Sequence, residues 1–576
     1  MAPPWGLICL LYPCVSVFIR GFFFLFIYPL LHQGHPMRRR SFLAASSAPL
    51  LAHLACRRRR PEFAFEGELS GPSMHLGHGA RDGELPAPST FEDVDVLIVG
   101  GGVAGLSAAW RLKGAGFETF TLLELEPAVG GTSRSGRNGV SAYPLAAHYV
   151  PAPPKEAAAL VRLLDEVGVI EGYDAEGEPI YAEQHLVRSP EERVFAVGQW
   201  WEGLQLHAGE SVEDIRQYRL FFAEVDRWVA WRDARGRRAF TVPRSKGSDD
   251  AQVRALDSLS FKQWLDQRGL NSERLLWLLD YACRDDFGAR LETTSAWAGI
   301  FYFAARKRSP GEESRPILTW PEGNGFLVNH LHAGCRDKVR VGVAVSRIRP
   351  GQGGRTEVLV WSQAEQRPLG FRARRVIYAG PMLMAGHVIP DLARARGRAA
   401  FQAFLPSSWI VANLTLRDRP RELGFPLAWD NVIRRGRGLG YVVATHQSLS
   451  DVGPTVWTYY HALAGGDVRA DWERLSSLTW RECVRLVLDD LGQAHPDLEA
   501  RITRLDVMRW PHAMIRPRPG FVWSETLQQA RQPFGSIHFA HSDLSGLALF
   551  EEAQDHGLRA AEEVLAALGR PSNTWR

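Results

Sequence analysis

The chain has 576 residues, 45% of them hydrophobic and 23% charged, a globular balance with length for two or three domains. A formal charge of +4 over that length excludes a nucleic-acid-binding role that rests on a basic surface. The six cysteines show no C-x-x-C or metal-ligand spacing, and the three beyond the N-terminal leader, Cys283, Cys335 and Cys483, are an odd, widely spaced number that makes no disulfide framework.

Trp5 to His32 is strongly apolar but contains Arg20. An arginine at the centre of a spanning helix costs about 2.5–3.5 kcal/mol on insertion scales. Residues 1–36 therefore have two readings, a membrane anchor or a start placed too early. The second is the expectation, because Met37 opens an export signal of its own. In residues 37–56, Arg39-Arg40-x-Phe42-Leu43 precedes a mild apolar run from Ala44 to Ala55 and resembles a twin-arginine translocation signal. Such a signal implies delivery of an already folded protein to the periplasm or cell envelope. Leu54-Ala55-Cys56 resembles the end of a lipoprotein box, although His53 stands where leucine is usual. Lipidation of Cys56, and with it a membrane tether, stays open. Residues 57–92, rich in glycine, histidine and proline, read as an arm or linker.

The next stretch organises everything behind it. Val94 to Val99 predicts a buried strand, and Ala104 to Lys113 a helix that stops at Gly114. Between them Gly100, Gly102 and Gly105 supply a G-x-G-x-x-G turn. Gly100 permits the tight turn, Gly102 lets a pyrophosphate approach the backbone, and Gly105 lets helix and strand pack closely. Val103 and Ala104, at the helix start, offer N–H groups and a partial positive charge to phosphates. A second strand, Thr119 to Glu124, ends in an acid 19 residues past Gly105, where a carboxylate accepts the ribose hydroxyls of an adenine dinucleotide. These features do not separate FAD from NAD.

The residues after Glu124 do. Gly130-Gly131-Thr132-Ser133-Arg134 resembles the second glycine motif of the flavin-containing amine oxidase superfamily, which also takes in the carotenoid desaturases. There the loop wraps the FAD pyrophosphate. The family's usual arginine after the glycine pair is Thr132 here, with Arg134 as the nearby candidate. Ala142 to Pro151 resembles the segment passing close to the flavin ring, which makes His148 a candidate beside the ring or else a packed histidine. Trp320 to His330 resembles the return to the cofactor domain, and Val345-Ser-Arg-Ile348 the element whose backbone contacts the adenine. Near the end, Ile537 to Asp543 resembles the last cofactor strand and Leu549 to Ala561 the last helix. Asp543 matches the acid that bonds the ribityl chain or pyrophosphate, and Ala553 the helix-start residue facing the flavin.

The resemblance runs from about Asp95 to Leu568. It implies an α/β fold with a Rossmann-like FAD-binding domain built from 93–150, 318–390 and 505–570. A mixed α+β substrate domain takes 151–317 and 391–504.

Between the cofactor pieces, Ser211 to Trp231, Ser260 to Gln267, Arg274 to Cys283 and Thr293 to Ala305 predict helices. Tyr281 to Gly288 and Trp297 to Phe303 are aromatic-rich and read as helix core ahead of pocket wall. Arg284, Asp285 and Asp286 read as an ion pair or cap ahead of a substrate-reading cluster. Alternation at Val339, Val341, Val343 and Val345 predicts one strand, and Trp472 to Leu491 one amphipathic helix. Amine oxidases of the family place a lysine beside the flavin's reactive nitrogen, on the strand resembling Pro406 to Leu416. Ala412 falls there, with Asn413 beside it as a candidate to hold a water, and no lysine follows Lys338.

The resemblance implies an FAD-dependent oxidoreductase that takes a hydride from a small amine or amino acid. The alternatives are a desaturase or isomerase acting on an apolar substrate, or a flavin-binding protein with little turnover. The absent lysine favours the apolar-substrate enzyme, whose pocket would carry no acid placed for an ammonium. The sequence sets no oligomeric state.

Overall fold

The computed structural model describes residues 62–576 except 83–85, 87, 449, 451 and 572. Residues 1–36, the expected signal in 37–56 and Cys56 lie outside the described residues. No helix among the described residues is long and apolar enough to cross a membrane.

Much of the expected arm is built into the body, through strand β1 (Leu69–Ser70) and helix α1 (Met74–Asp82). Strand β2 (Phe91–Val99), helix α2 (Val103–Gly114) and strand β3 (Phe120–Leu123) then form the βαβ unit that the glycine motif requires. A hairpin of β4 (Ser135–Arg137) and β5 (Ala142–Pro144) follows. Strands β6 (Glu192–Ala196) and β7 (Gln199–Glu202) lead into three helices, α3 (Val212–Ala230), α4 (Glu273–Phe287) and α5 (Ala296–Ala304). Ser211, Ser272 and Ser295 cap their N-termini, each accepting a backbone N–H.

The chain returns through β8 (Val339–Arg340), β9 (Val343–Pro350), β10 (Thr356–Ser362) and β11 (Arg367–Tyr378), and turns into α6 (Met382–Val388). Strands β12 (Pro406–Leu416), β13 (Asp430–Ile433), β14 (Gly440–Val443) and β15 (Thr455–Leu463) follow. Last come α7 (Val468–Ser477), α8 (Trp480–Leu491), β16 (Ile502–Ile515), β17 (Ile537–Phe539) and α9 (Phe550–Ala567).

The cofactor sheet has the parallel order β8-β3-β2-β11-β17, with β10 and β9 added as an antiparallel meander on the first half of β11. Successive residues of β2 feed two cores, as period-2 side chains must. Val96 and Ile98 pack with α2 and α9 on one face. Leu97 and Val99 pack with the meander and α6 on the other. The second sheet has eight strands in the order β1-β16-β12-β15-β14-β13-β6-β7. In β15 every residue is buried, with Tyr459 turned to α8, Tyr460 packed in the α3–α5 core and Val456 against Tyr143 of the β4–β5 hairpin. The α3–α5 layer packs on the face bearing Val411 and Tyr460.

Three expected elements are broken by local chemistry. Val339 to Val345 is two strands, since Gly342 has φ +66° and Val341 turns outward. The first piece pairs β3 and the second pairs β10. Trp472 to Leu491 is two helices, because Thr479 and Glu482 form a capping box that starts a new one. The last strand stops at Phe539, and Asp543 sits in the short 3-10 turn Ser542–Ser545.

Candidate active site

The carboxyl ends of β2, β11 and β17 come together at one edge of the parallel sheet, where ligands of open α/β sheets bind. Gly100 has φ +106° and lies so close to Ala379 that a Cβ would stand 2.9 Å from its carbonyl oxygen. A Cβ on Gly105 would stand 1.9 Å from the Gly100 oxygen, so strand and helix touch there. A Cβ on Gly557 of α9 would stand 2.3 Å from the Ala104 carbonyl oxygen. Gly102 is different: a Cβ there would meet no atom within 4 Å. Three glycines are closed by packing, and the one assigned to the pyrophosphate is open.

Glu124 is 8% exposed, and its two oxygens accept the N–H of Gly101 at 2.6 Å and of Glu126 at 2.8 Å. Burial raises its pKa against the pull of these two amides. Gly130 and Gly131 both have positive φ, and Gly130 bridges Gly102. Arg134 stands beside the pair: Nε–H donates to the Gly131 carbonyl at 3.3 Å, and the guanidinium lies 5.2 Å from the Trp510 ring. It therefore occupies the neighbourhood that Thr132 cannot serve. The carbonyl of Thr132 itself is taken by the N–H of Ala147. Val345 lies two residues past Val343, whose N–H donates to the Glu124 carbonyl.

Asp543 completes the edge. Its Oδ2 accepts the Met382 N–H at 2.9 Å, at the start of α6, and Oδ1 lies 3.2 Å from His541 Nδ1. Burial would raise its pKa, but His541 and the Met382 amide outweigh burial and hold it low. Helix α9 starts just beyond. Ala553 does not supply a free donor, because its N–H is bound to the Leu549 carbonyl. The first-turn amides are those of Phe550, Glu551 and Glu552, and the Glu551 N–H is engaged by its own carboxylate. A buried network fixes that turn. The Ser545 hydroxyl bonds Glu552 and lies 2.9 Å from His556 Nε2, while Glu552 also accepts the Arg244 N–H at 2.6 Å.

The donors, the open glycine and the buried ribose acid fit FAD. Glu124, Gly102, the Gly130–Gly131 loop with Arg134, Asp543 and the start of α9 would hold it.

Beside this cradle stands a wall of aromatic rings. His148 stacks on Tyr460 at 4.6 Å and lies 5.0 Å from Tyr149 and 5.5 Å from Trp429. Burial lowers its pKa to about 4, so it is neutral at neutral pH. A cleft of about 240 Å³, open solvent included, ends on His148 and Trp429 between Pro144, Trp320 and His446.

Four carboxylates gather behind the rings. Asp286 accepts Arg306 Nη2–H at 2.7 Å and the Tyr149 hydroxyl at 3.3 Å. Asp430 accepts the Tyr281 hydroxyl at 3.1 Å. Asp285 and Glu192 complete the group, and neither they nor Asp430 form an ion pair among the described residues. The nearby guanidinium of Arg284 is held by Asp280 at 3.0 Å. Burial, then the charges of Asp285 and Glu192, push Asp430 far above the carboxylate range. Burial, then the Asp286 charge, does the same to Asp285. Burial and neighbouring Glu191 raise Glu192 to about 7. The wall adjoins the start of α9, where Glu551 feels both Arg306 and Asp286.

Sheet register separates Ala412 from Asn413. Ala412 pairs with Tyr459, whose hydroxyl donates to Asp490 of α8, so that face points away from the cradle. Val411 pairs with Tyr460, whose hydroxyl donates to the Ala146 carbonyl beside His148. Asn413 shares this second face. Its Oδ1 accepts the Thr458 hydroxyl at 2.8 Å, and its buried Nδ2 has no hydrogen-bond partner among the described residues. The assignment of Ala412 to the flavin side is therefore corrected to Asn413. Asp285 was weighed in the sequence as one of a cluster, whereas Glu192, Trp429 and Asp430 were not singled out as site residues.

A dinucleotide cradle of three chain segments, facing a substrate wall on a second sheet, defines an FAD-dependent oxidoreductase. The chain belongs to the family of flavin-containing amine oxidoreductases, which residues 103–565 match. Putrescine oxidase bound to putrescine is similar at TM-score 0.61 and 18% identity, over 83% of this chain and all of that one. Cyclohexylamine oxidase from Brevibacterium oxydans is similar at 0.58 and 17%, over 83% and 100% of the two chains. A fatty acid isomerase from P. acnes is similar at 0.57 and 16%, over 83% and 99%. At these identities the likeness is one of fold. No curated protein matches the sequence.

Proposed function

We propose that the protein oxidises an amine bearing more than one ammonium group. Bound FAD supplies the hydride acceptor. The observation that carries the reading is the charge of the wall. Asp285, Asp430 and Glu192 lie half-buried among Tyr281, Tyr149, Trp429 and Tyr460, while the nearby guanidiniums are engaged by Asp286 and Asp280. An amino acid would need a free guanidinium for its carboxylate, and an apolar substrate a wall without acids. A cation restores what burial costs these carboxylates, and the aromatic faces add about 0.5–2 kcal/mol by cation–π attraction. Neutral His148 adds a flat surface without repelling the cation. Asn413 Nδ2, unpaired on the sheet face toward the cradle, is suited to hold a water where the family's lysine would.

The test is anaerobic reduction of the bound flavin by a panel of a diamine, an alkyl monoamine of equal length, an amino acid and a fatty acid. The diamine should bleach the flavin fastest. Asp430→Asn should raise the diamine KM about ten-fold, the loss of one charge-assisted contact of about 1.5 kcal/mol, and change kcat less. Bleaching by the fatty acid alone, or equal use of monoamine and diamine, rejects the reading. Arg39-Arg40-x-Phe42-Leu43 further supports export to the periplasm or cell envelope, with Cys56 as the position for a lipid tether.

A further inference from the structure

We propose that Phe65 to Asp82 forms a latch over the adenine end of the cofactor cleft, in which Ser73 and Glu126 hold Arg134 in place and so retain FAD.

The latch lies ahead of the family-matched residues, which begin at 103. Its first end is sewn to the substrate sheet. The N–H groups of Leu505 and Val507 donate to the carbonyls of Glu66 and Glu68 at 3.0 and 2.8 Å, and Leu69–Ser70 pairs with Val507–Met508. Gly67 lies so close that a Cβ would stand 1.7 Å from the Leu505 oxygen. The segment then crosses to the cofactor domain. Ser73 donates its N–H to Glu126 Oε1 at 2.8 Å and its hydroxyl to Oε2 at 3.2 Å. Helix α1 continues along β9, with Gly77 facing Leu125.

Glu126 stands two residues after the ribose acid, and its own N–H binds that acid. Its carboxylate lies 3.6 Å from Arg134 Nη1, with the two side chains only 12% and 11% exposed. Salt therefore screens this pair little. Arg134 in turn lies over Trp510, two residues past Met508 on β16. The contacts form a closed circuit from β16 through the latch, Glu126 and Arg134 back to β16. Every link is a positioning contact, and Arg134 is the group that meets the glycine pair. On this proposal FAD leaves past Glu124 and Arg134 only when the circuit opens.

The experiment dilutes purified holoprotein into FAD-free buffer and follows free-flavin fluorescence. Glu126→Ala and Ser73→Pro should each release FAD about ten-fold faster, since each loses contacts to a charged group. Ser73→Thr, which keeps both donors, should release at the parent rate. The double variant Glu126→Ala/Arg134→Ala should release no faster than Arg134→Ala, because Glu126 acts through Arg134. Glu126→Gln preserves shape and guards against a folding defect. Release at the parent rate in both Glu126 variants overturns the proposal, as does an additive effect in the double variant.

Discussion

Replacing Gly102 with valine should give a folded protein that carries no flavin, while Gly105→Ala should weaken the fold itself. Gly102 has φ −71° and ψ −176°, a conformation open to any residue, and free space where a Cβ would go. Losing glycine at the helix N-cap for a residue that caps poorly costs about 0.5–1 kcal/mol. The stiffer unfolded chain returns about 0.4–1 kcal/mol. The apoprotein should therefore melt within about 1 kcal/mol of the parent. At Gly105 the added methyl would lie 1.9 Å from a backbone oxygen that no rotamer change can move. Overpacking of that kind costs about 1–3 kcal/mol, here toward the upper end. The parent should also gain about 2.7 kcal/mol from FAD at a hundred times its Kd, and Gly102→Val should gain none. The assay is calorimetry of each protein with and without FAD, beside flavin absorbance after gel filtration. A yellow Gly102→Val protein, or one whose apo form melts as low as Gly105→Ala, would refute the reasoning.

The diamine KM should fall as pH rises through about 7, where Glu192 and its raised neighbours ionise and can pair with ammonium. Asp285→Asn should move that fall to lower pH, because Asp430 loses its foremost charged neighbour, and His148→Phe should leave it in place. Stability of the apoprotein runs the other way. Glu551 and Glu552 are raised from 4.5 to about 7 by burial before any other cause, so their contribution is complete below pH 4.5 and is lost as pH rises through 7. The apo melting temperature should decline across that window, and a flat profile would count against neutral buried glutamates. Arg39→Lys with Arg40→Lys should leave the protein in the cytoplasm by cell fractionation, and unchanged delivery would rule out the twin-arginine route.

The cofactor cradle was legible because its demands are local. A turn at Gly100, an open backbone at Gly102 and an acid at the end of the next strand are each fixed within a few residues. The boundaries that went unread were also local but quieter. Gly342 divides an alternating valine run between two partner strands, and Thr479 with Glu482 restarts a helix inside one amphipathic pattern. The substrate wall could be read only in fragments, with Asp285 weighed in a cluster but nothing to tie it to Glu192 or Asp430. Glu192, Asp285 and Asp430 come from β6, α4 and β13, and only the fold places them in one field. Tyr281 illustrates the difficulty: it is 3% exposed and packs as helix core, yet its hydroxyl reaches Asp430. The choice between Ala412 and Asn413 needed strand register, because a shift of one residue exchanges the two faces of a sheet.

The order of the chain has a consequence for how the molecule is made. β2 waits for β11 to cover one flank, and β1 waits for Val507 and Met508, which leave the ribosome much later. β1, at residues 69 and 70, thus stays without its partner strand until most of the chain has been made.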